Sequence, residues 1–288
     1  MPPIININNI IGGITLDVDQ IIVNSLEYSK SSLGKVATLG AIIIVPVLIM
    51  FILMFLGAIS NNGAVLVITL LIAILLLIVA GILVQGYFFK VIKSTVAGLD
   101  ELPDFDNWGE MGINGLKVLV VTIVYNLIFG IIAAIPIFII FLIMGLGGIM
   151  GGAMGSFSNS TALDMAALTS SALLFWGLYL GLFIIYLIML VVTLLYAIFL
   201  PLGIANMAYN GNIGDAFALS ALREKVSEIR WAKAIIWVLA INFVYVVAFM
   251  ISYILGLLLV GIVVVPLLIL PFLVIFHARS IGLLYLNE

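Results

Sequence analysis

Four long stretches of this chain carry no Asp, Glu, Lys or Arg: residues 36–89, 118–163, 165–214 and 234–278. Inside them run nearly unbroken apolar segments such as Ala41–Gly57 and Ala64–Val84. A helix needs about 20 apolar residues to cross a bilayer. The first stretch is long enough for two such helices, and Ser60-Asn61-Asn62-Gly63 is a turn signal near its middle. The spacing predicts spans at about 37–59 and 64–89, then 118–145, 172–203, 234–255 and 259–277, the last two broken between Gly256 and Gly261. The expected fold is all-α: a polytopic transmembrane bundle of about six spans.

Composition changes that picture only by excluding its rivals. Of 288 residues, 66% are hydrophobic and 8% charged, against about 25% charged in a soluble domain. Soluble domains of this size cannot hide so much apolar surface. Lipid leaves two ways to satisfy every backbone polar group, a helix or a closed barrel. A barrel strand would alternate polar with apolar residues, and these runs do not. There is no cysteine, which removes disulfides, thiolate catalysis and zinc–thiolate sites. A net charge of −3 argues against nucleic acid as a partner; the expected partner is the bilayer. Met1–Asn9 lacks the regions of a signal peptide, so the first span is expected to act as its own insertion signal.

Lys and Arg are retained in cytoplasmic loops. In the six-span layout Lys30, Lys35, Lys90, Lys93, Lys117, Arg223, Lys225, Arg230, Lys233 and Arg279 all fall on one side. Both termini are therefore expected in the cytoplasm, with the chain in the cell membrane. The outer segment Gly145–Ser171 is expected to be a flexible loop with one short helical turn; it holds the glycosylation triplet Asn159-Ser160-Thr161.

Segments on the basic side show helical amphipathicity. Asp17–Leu33 puts Val18, Ile21, Ile22, Leu26 and Leu33 on one face; Asp215–Trp231 does so with Ala218, Leu222, Val226 and Ile229. A 3.6-residue pattern beside a span suits a helix lying in the interface. Asn107–Leu116 is the shorter middle counterpart. At a spacing of 116, Gly98, Lys117 and Asn126 align with Gly214, Lys233 and Asn242, and Pro201 to Tyr209 resembles Pro271 to Arg279. The expected domain is single, built as three helical hairpins each preceded by an interfacial helix, with units at about 15–97, 98–213 and 214–288. Such units are parallel, unlike the inverted repeats of many transporters.

Gly86-Tyr87, the run Ala97-Gly98-Leu99-Asp100-Glu101-Leu102-Pro103-Asp104-Phe105-Asp106-Asn107-Trp108-Gly109-Glu110, Gly115-Leu116-Lys117 and Gly214-Asp215-Ala216-Phe217 together resemble domain of unknown function 4013. That is a family of uncharacterised prokaryotic, largely archaeal, multi-pass membrane proteins. The resemblance implies an integral membrane protein and supplies no catalytic residues.

Candidate chemistry is sparse. The linker acids Asp100, Glu101, Asp104, Asp106 and Glu110 are the type of cluster that binds hard cations, but Trp108 and Gly115 stand where a calcium loop needs oxygen ligands. The expected role is a solvated loop whose Asp106 or Asn107 caps the next helix, with Phe105, Trp108, Phe217 and Trp231 as interface anchors. Gln85, Thr122, Tyr125, Asn126, Tyr186, Asn206, Asn242 and Tyr245 are polar groups within spans, read as interhelical hydrogen bonds or the lining of an intramembrane cavity. Gly177 and Gly181 permit close helix packing, including between copies of the chain. His277, the lone histidine, shows no ligand or acid partner in sequence. No span holds an acid or base, which disfavours proton pumping and ion coupling. No catalytic, metal or cofactor residue is expected. The expected function is a non-enzymatic membrane component; the alternatives are a permease for an uncharged or lipid-like solute, and a lipid-modifying enzyme using the acidic linker.

Overall fold

A computed structural model describes residues 16–156 and 163–287, the side chains of 143–175 and 178 excepted. Among the described residues the regular structure is helical: α1 (Val18–Lys30), α2 (Leu33–Ile59), α3 (Gly63–Val96), α4 (Trp108–Ser156), α5 (Leu163–Asn210), α6 (Leu219–Ile229), α7 (Trp231–Leu257), α8 (Gly261–Val264) and α9 (Leu270–Leu286). A 3₁₀ turn at Ile213–Phe217 leads into α6, and a π-helical turn at Val265–Ile269 joins α8 to α9. Among the described residues, six helical segments are long and apolar enough to cross a membrane: Leu33–Ile59, Gly63–Val96, Trp108–Leu142, Tyr179–Asn210, Trp231–Leu257 and Gly261–Leu286. The protein is a polytopic helical membrane protein.

The turns lie where the sequence places them. Asn61 takes a left-handed φ of 47° between α2 and α3, and the Asn62 side chain accepts from the Ala64 N–H to cap α3. Leu259 at φ 59° makes the break between α7 and α8. Three expectations are corrected. The middle interfacial helix does not exist as a separate element, because α4 starts at Trp108 and runs on without interruption; its proline, Pro136, lies well inside the span. The outer segment is not a loop over most of its length: α4 continues to Ser156 and α5 begins at Leu163. Asn159 lies outside the described residues. Third, the last helix does not end near His277 but continues to Leu286, burying Arg279 rather than leaving it in a loop.

The chain forms two compact units, residues 1–122 with 198–288 and residues 123–197. In the second, the upper halves of α4 and α5 pair: Phe129 meets Tyr196 edge-on, and a side chain at Gly181 would touch Ile140. In the first, α9 packs against α1 and α3, and α2 against α3. The amphipathic pair α1 and α6 is present, though the buried face of α1 is Ile21, Ser25, Tyr28 and Ser29, and Leu33 is exposed. Serine is tolerated there because Ser25 and Ser29 donate to the Ile21 and Ser25 carbonyls of their own helix.

Glycines set the closest crossings. A Cβ on Gly86 would strike the Met111 backbone, and one on Gly115 would strike the Ile82 carbonyl, so α3 and α4 touch main chain to main chain. Gly40 of α2 meets Leu267 of the π-turn in the same way. Lipid supplies no hydrophobic force between helices, so such close contact is a main source of cohesion. Gly86→Val is expected to lower stability by about 1–3 kcal/mol through overpacking. Gly109→Ala, facing open space, should change little. Thermal unfolding of the two variants in detergent checks this.

Candidate functional site

The densest polar structure in unit 1 lies where α3 ends and the chain crosses to α4. Gly98, at φ 78°, lets its own N–H reach the Thr95 carbonyl and the Leu99 N–H reach that of Ser94, closing α3. From there residues 99–107 form a strap held by side chains from four helices, α1, α2, α3 and α9. Lys35 Nζ donates to the Leu102 carbonyl at 2.5 Å, the Tyr28 hydroxyl to the Glu101 carbonyl at 3.0 Å, and the Tyr87 hydroxyl to the Pro103 carbonyl at 3.0 Å. Lys90 Nζ donates to the Asp104 carbonyl at 2.8 Å. Phe105 stacks on Tyr87 with ring centroids 4.2 Å apart and 6° between planes. The carbonyls of Glu101, Leu102, Pro103 and Asp104, outside regular structure, each thereby meet a donor.

Four of the five acids from Asp100 to Glu110 are paired, while among the described residues Glu101 makes no ion pair within 4 Å. Asp100 pairs with Arg279 at 2.6 Å, Asp104 with Lys35 at 2.7 Å, Asp106 with Lys90, and Glu110 with Lys93 at 3.7 Å. Lys90, hydrogen-bonded to Asp106, holds that carboxyl below its ordinary range. Among the described residues no three acidic or histidine side chains converge as metal ligands would. A cavity of about 290 Å³ lies beside the strap, lined by Lys90, Lys93, Ser94, Asp106, Asn107 and Glu110 among others. Its cations and carboxylates already face each other in pairs.

Arg279 is the centre of this arrangement. It is 1% exposed. Its Nε donates to Asn24 Oδ1 at 3.1 Å, Nη1 to the Leu99 carbonyl at 2.8 Å and Thr95 Oγ1 at 3.4 Å, and Nη2 to Asp100 Oδ1 at 2.6 Å. The guanidinium also lies over the Tyr28 ring, 4.3 Å from its centroid. Burial pushes the Tyr28 hydroxyl above its usual value, so it stays a donor to the strap. A second clasp sits nearby in sequence: Asn287 bonds both the N–H and the carbonyl of Leu16, tying the last helix to the start of α1.

The polar residues expected within spans are distributed among several small networks. Asn206 is buried; its amide donates to the Asp215 carbonyl, and its oxygen accepts from the Tyr285 hydroxyl and Asn210. Tyr245 donates to or accepts from His277 Nδ1 at 2.9 Å, so the lone histidine does have a partner. Phe88 and Trp237 enclose the same imidazole, and the buried Trp237 Nε1 lacks a hydrogen-bond partner. Asn242 donates to the Val238 carbonyl of its own helix. In unit 2, Asn126 hydrogen-bonds Tyr196, Tyr125 is buried against Phe129, and Tyr186 is exposed. Gln85 and Thr122 are half-buried. Of the expected anchors, Trp108 and Trp231 are exposed, the latter edge-on to Phe199, while Phe217 is half-buried. Phe105 departs from that role, locking the strap to Tyr87.

Sequence reasoning missed Asn24, Tyr28, Thr95 and Arg279 as one site. The available signal was weak: the Gly86-Tyr87 pair, and the matched segments ending at Tyr209 and Arg279. Arg279→Met is expected to cost about 1–3 kcal/mol, because the Asn24 side-chain oxygen and the buried Thr95 hydroxyl would lose their guanidinium donor. Lys93→Ala, removing an exposed pair, should cost under about 1 kcal/mol. Denaturant titration in mixed micelles would distinguish them.

The family described as Protein of unknown function (DUF4013) matches residues 69–260, two thirds of the chain, taking in α3 from its second turn through α7 and so the whole strap. No curated protein and no solved structure matches.

Proposed function

This chain belongs to the DUF4013 family, and on that premise we propose that it is a non-enzymatic component of the cell membrane, with its termini and strap on the cytoplasmic side. The observation that carries the reading is the pairing of Asp100, Asp104, Asp106 and Glu110 with four separate cations. A catalytic carboxylate must be free to move a proton or attack, and must reach its substrate. These carboxylates instead fasten a connection between helices. The strap is a structural clamp, and the same pairing weighs against an enzyme that would use it.

Orientation rests on the basic residues. Lys35, Lys90, Lys93 and Arg279 meet at the strap, and basic residues are retained on the cytoplasmic face. In intact cells an impermeant maleimide is expected to label Ser60→Cys and Gly256→Cys, and to spare Ser31→Cys and Ser227→Cys. All four positions are exposed in the structure. External labelling of Ser227→Cys would reverse the orientation.

The non-enzymatic reading has its own test. Purified protein in liposomes is expected to leave the lipid mass spectrum unchanged over hours. Lipid conversion that disappears in the Asp104→Asn/Asp106→Asn double variant would make the strap an active site and overturn the proposal.

A further inference from the structure

Two cavities of unit 1 lie along one face of α7. The first, of about 620 Å³, is polar and lined by Asp17, Asp19, Glu228, Arg230, Lys233 and Ile236, with Ala232 between them. The second, of about 340 Å³, is apolar and lined by Leu26, Phe243, Val247, Ile251, Ile269 and Phe272, among others. Ala232, Ile236, Phe243 and Val247 follow one another at spacings of four, seven and four, which is a single stripe of an α-helix. Lys233 and Val247 are about 21 Å apart along the axis at 1.5 Å per residue. α1 borders both, through Asp17 and Asp19 at its start and Leu26 two turns later. One helix face therefore carries a polar chamber at its end and a greasy groove farther along, with a common wall.

The charges in the chamber are not used up as those of the strap are. Glu228 is paired with Lys225 at 2.9 Å. Among the described residues Arg230 and Lys233 make no ion pair within 4 Å, and Asp17 acts on Lys233 only at longer range. Two cations and Asp19 thus face the chamber without an ion-pair partner within 4 Å among the described residues, and Asp17, which caps α1 with Gln20, faces it too. Below it, Phe243, Val247 and Ile251 are 69%, 39% and 48% exposed, so the groove is open sideways to hydrocarbon. Its volume lies within the range of small-molecule sites, about 300–1,000 Å³.

We propose that this face binds one phospholipid with a zwitterionic amino headgroup. Its phosphodiester lies between Arg230 and Lys233, its ammonium toward Asp17 and Asp19, and one hydrocarbon chain in the groove between α7, the π-turn and α9. Charge complementarity selects the class: a purely anionic headgroup would meet the two aspartates, and a detergent without phosphate would leave the two cations unpaired. The site shares no residue with the strap and holds whether or not the chain is an enzyme.

The test is native mass spectrometry of the full chain in a delipidating detergent, titrated with phosphatidylethanolamine or phosphatidylglycerol. One saturating phosphatidylethanolamine adduct is expected, bound about tenfold more tightly than phosphatidylglycerol, the difference one charge-assisted contact makes. Lys233→Gln should weaken it about tenfold, and Val247→Trp, which fills the groove, should remove it. Asp19→Asn, at an exposed position, should abolish the preference between the two lipids while keeping phosphate binding. Each variant is compared at matched helicity and elution volume, and Asp19→Asn alone suffices if the others fail to fold. Equal binding of both lipids by the unmodified protein, or binding unchanged by all three substitutions, would overturn the proposal.

Discussion

A guanidinium cannot shed its charge, so once Arg279 is buried every nearby element must be arranged to receive it. Its donors reach Asn24 on α1, Thr95 on α3, and Leu99 and Asp100 on the strap, while Tyr28 covers its face. These groups come from positions 24 to 100 of the chain and meet a residue at position 279. No subset of them forms a stable environment alone, because removing any one leaves buried charge or an unmet donor. The packing of α1 against α9 and the path of the strap are consequences of this one requirement. Asn287 on Leu16 repeats the same closure in neutral form.

The strap illustrates how the same residue types serve structure or chemistry according to their partners. Five acids within eleven residues look, as a string, like a metal site or a catalytic loop. In space four of them are separated onto four cations. Each of these carboxylates is held singly by an opposite charge. They confer rigidity on an irregular segment that carries Gly98 and Asn107 in left-handed conformations. The aromatic pair Tyr87 and Phe105 adds apolar contact, and the glycines Gly86 and Gly115 bring α3 and α4 close enough for the strap to bridge them.

The chamber at Arg230 and Lys233 is the counterpart in which charges face open volume. Arg230 takes φ 72° between α6 and α7, an unusual backbone for a side chain of this size. That corner turns α6 into α7, and the chamber lies between the start of α7 and the start of α1. Lipid is the solvent for most of this protein, so a groove that admits one chain is filled rather than empty. What distinguishes it from ordinary annular contact is the polar chamber in register with it.

Hydrophobicity is a property of sequence order, and for that reason the helical class, the six spans and their turns at Asn61 and Gly256–Gly261 were legible without coordinates. The backbone must satisfy itself in lipid, and that constraint acts on each segment separately. The family resemblance was legible for the same reason, since Leu102-Pro103 through Glu110 is contiguous. The boundaries of α4, α5 and α9 were not, because no local signal distinguishes a helix that stops at the interface from one that continues beyond it. The partners of His277 and Asn206 were equally invisible, lying 32 and 79 residues away at Tyr245 and Tyr285. By itself the sequence determined that this chain is a helical membrane protein and which segments are long and apolar enough to cross. Only the tertiary structure decided which charges meet, since burial of Arg279 depends on helices far apart in sequence converging on one point.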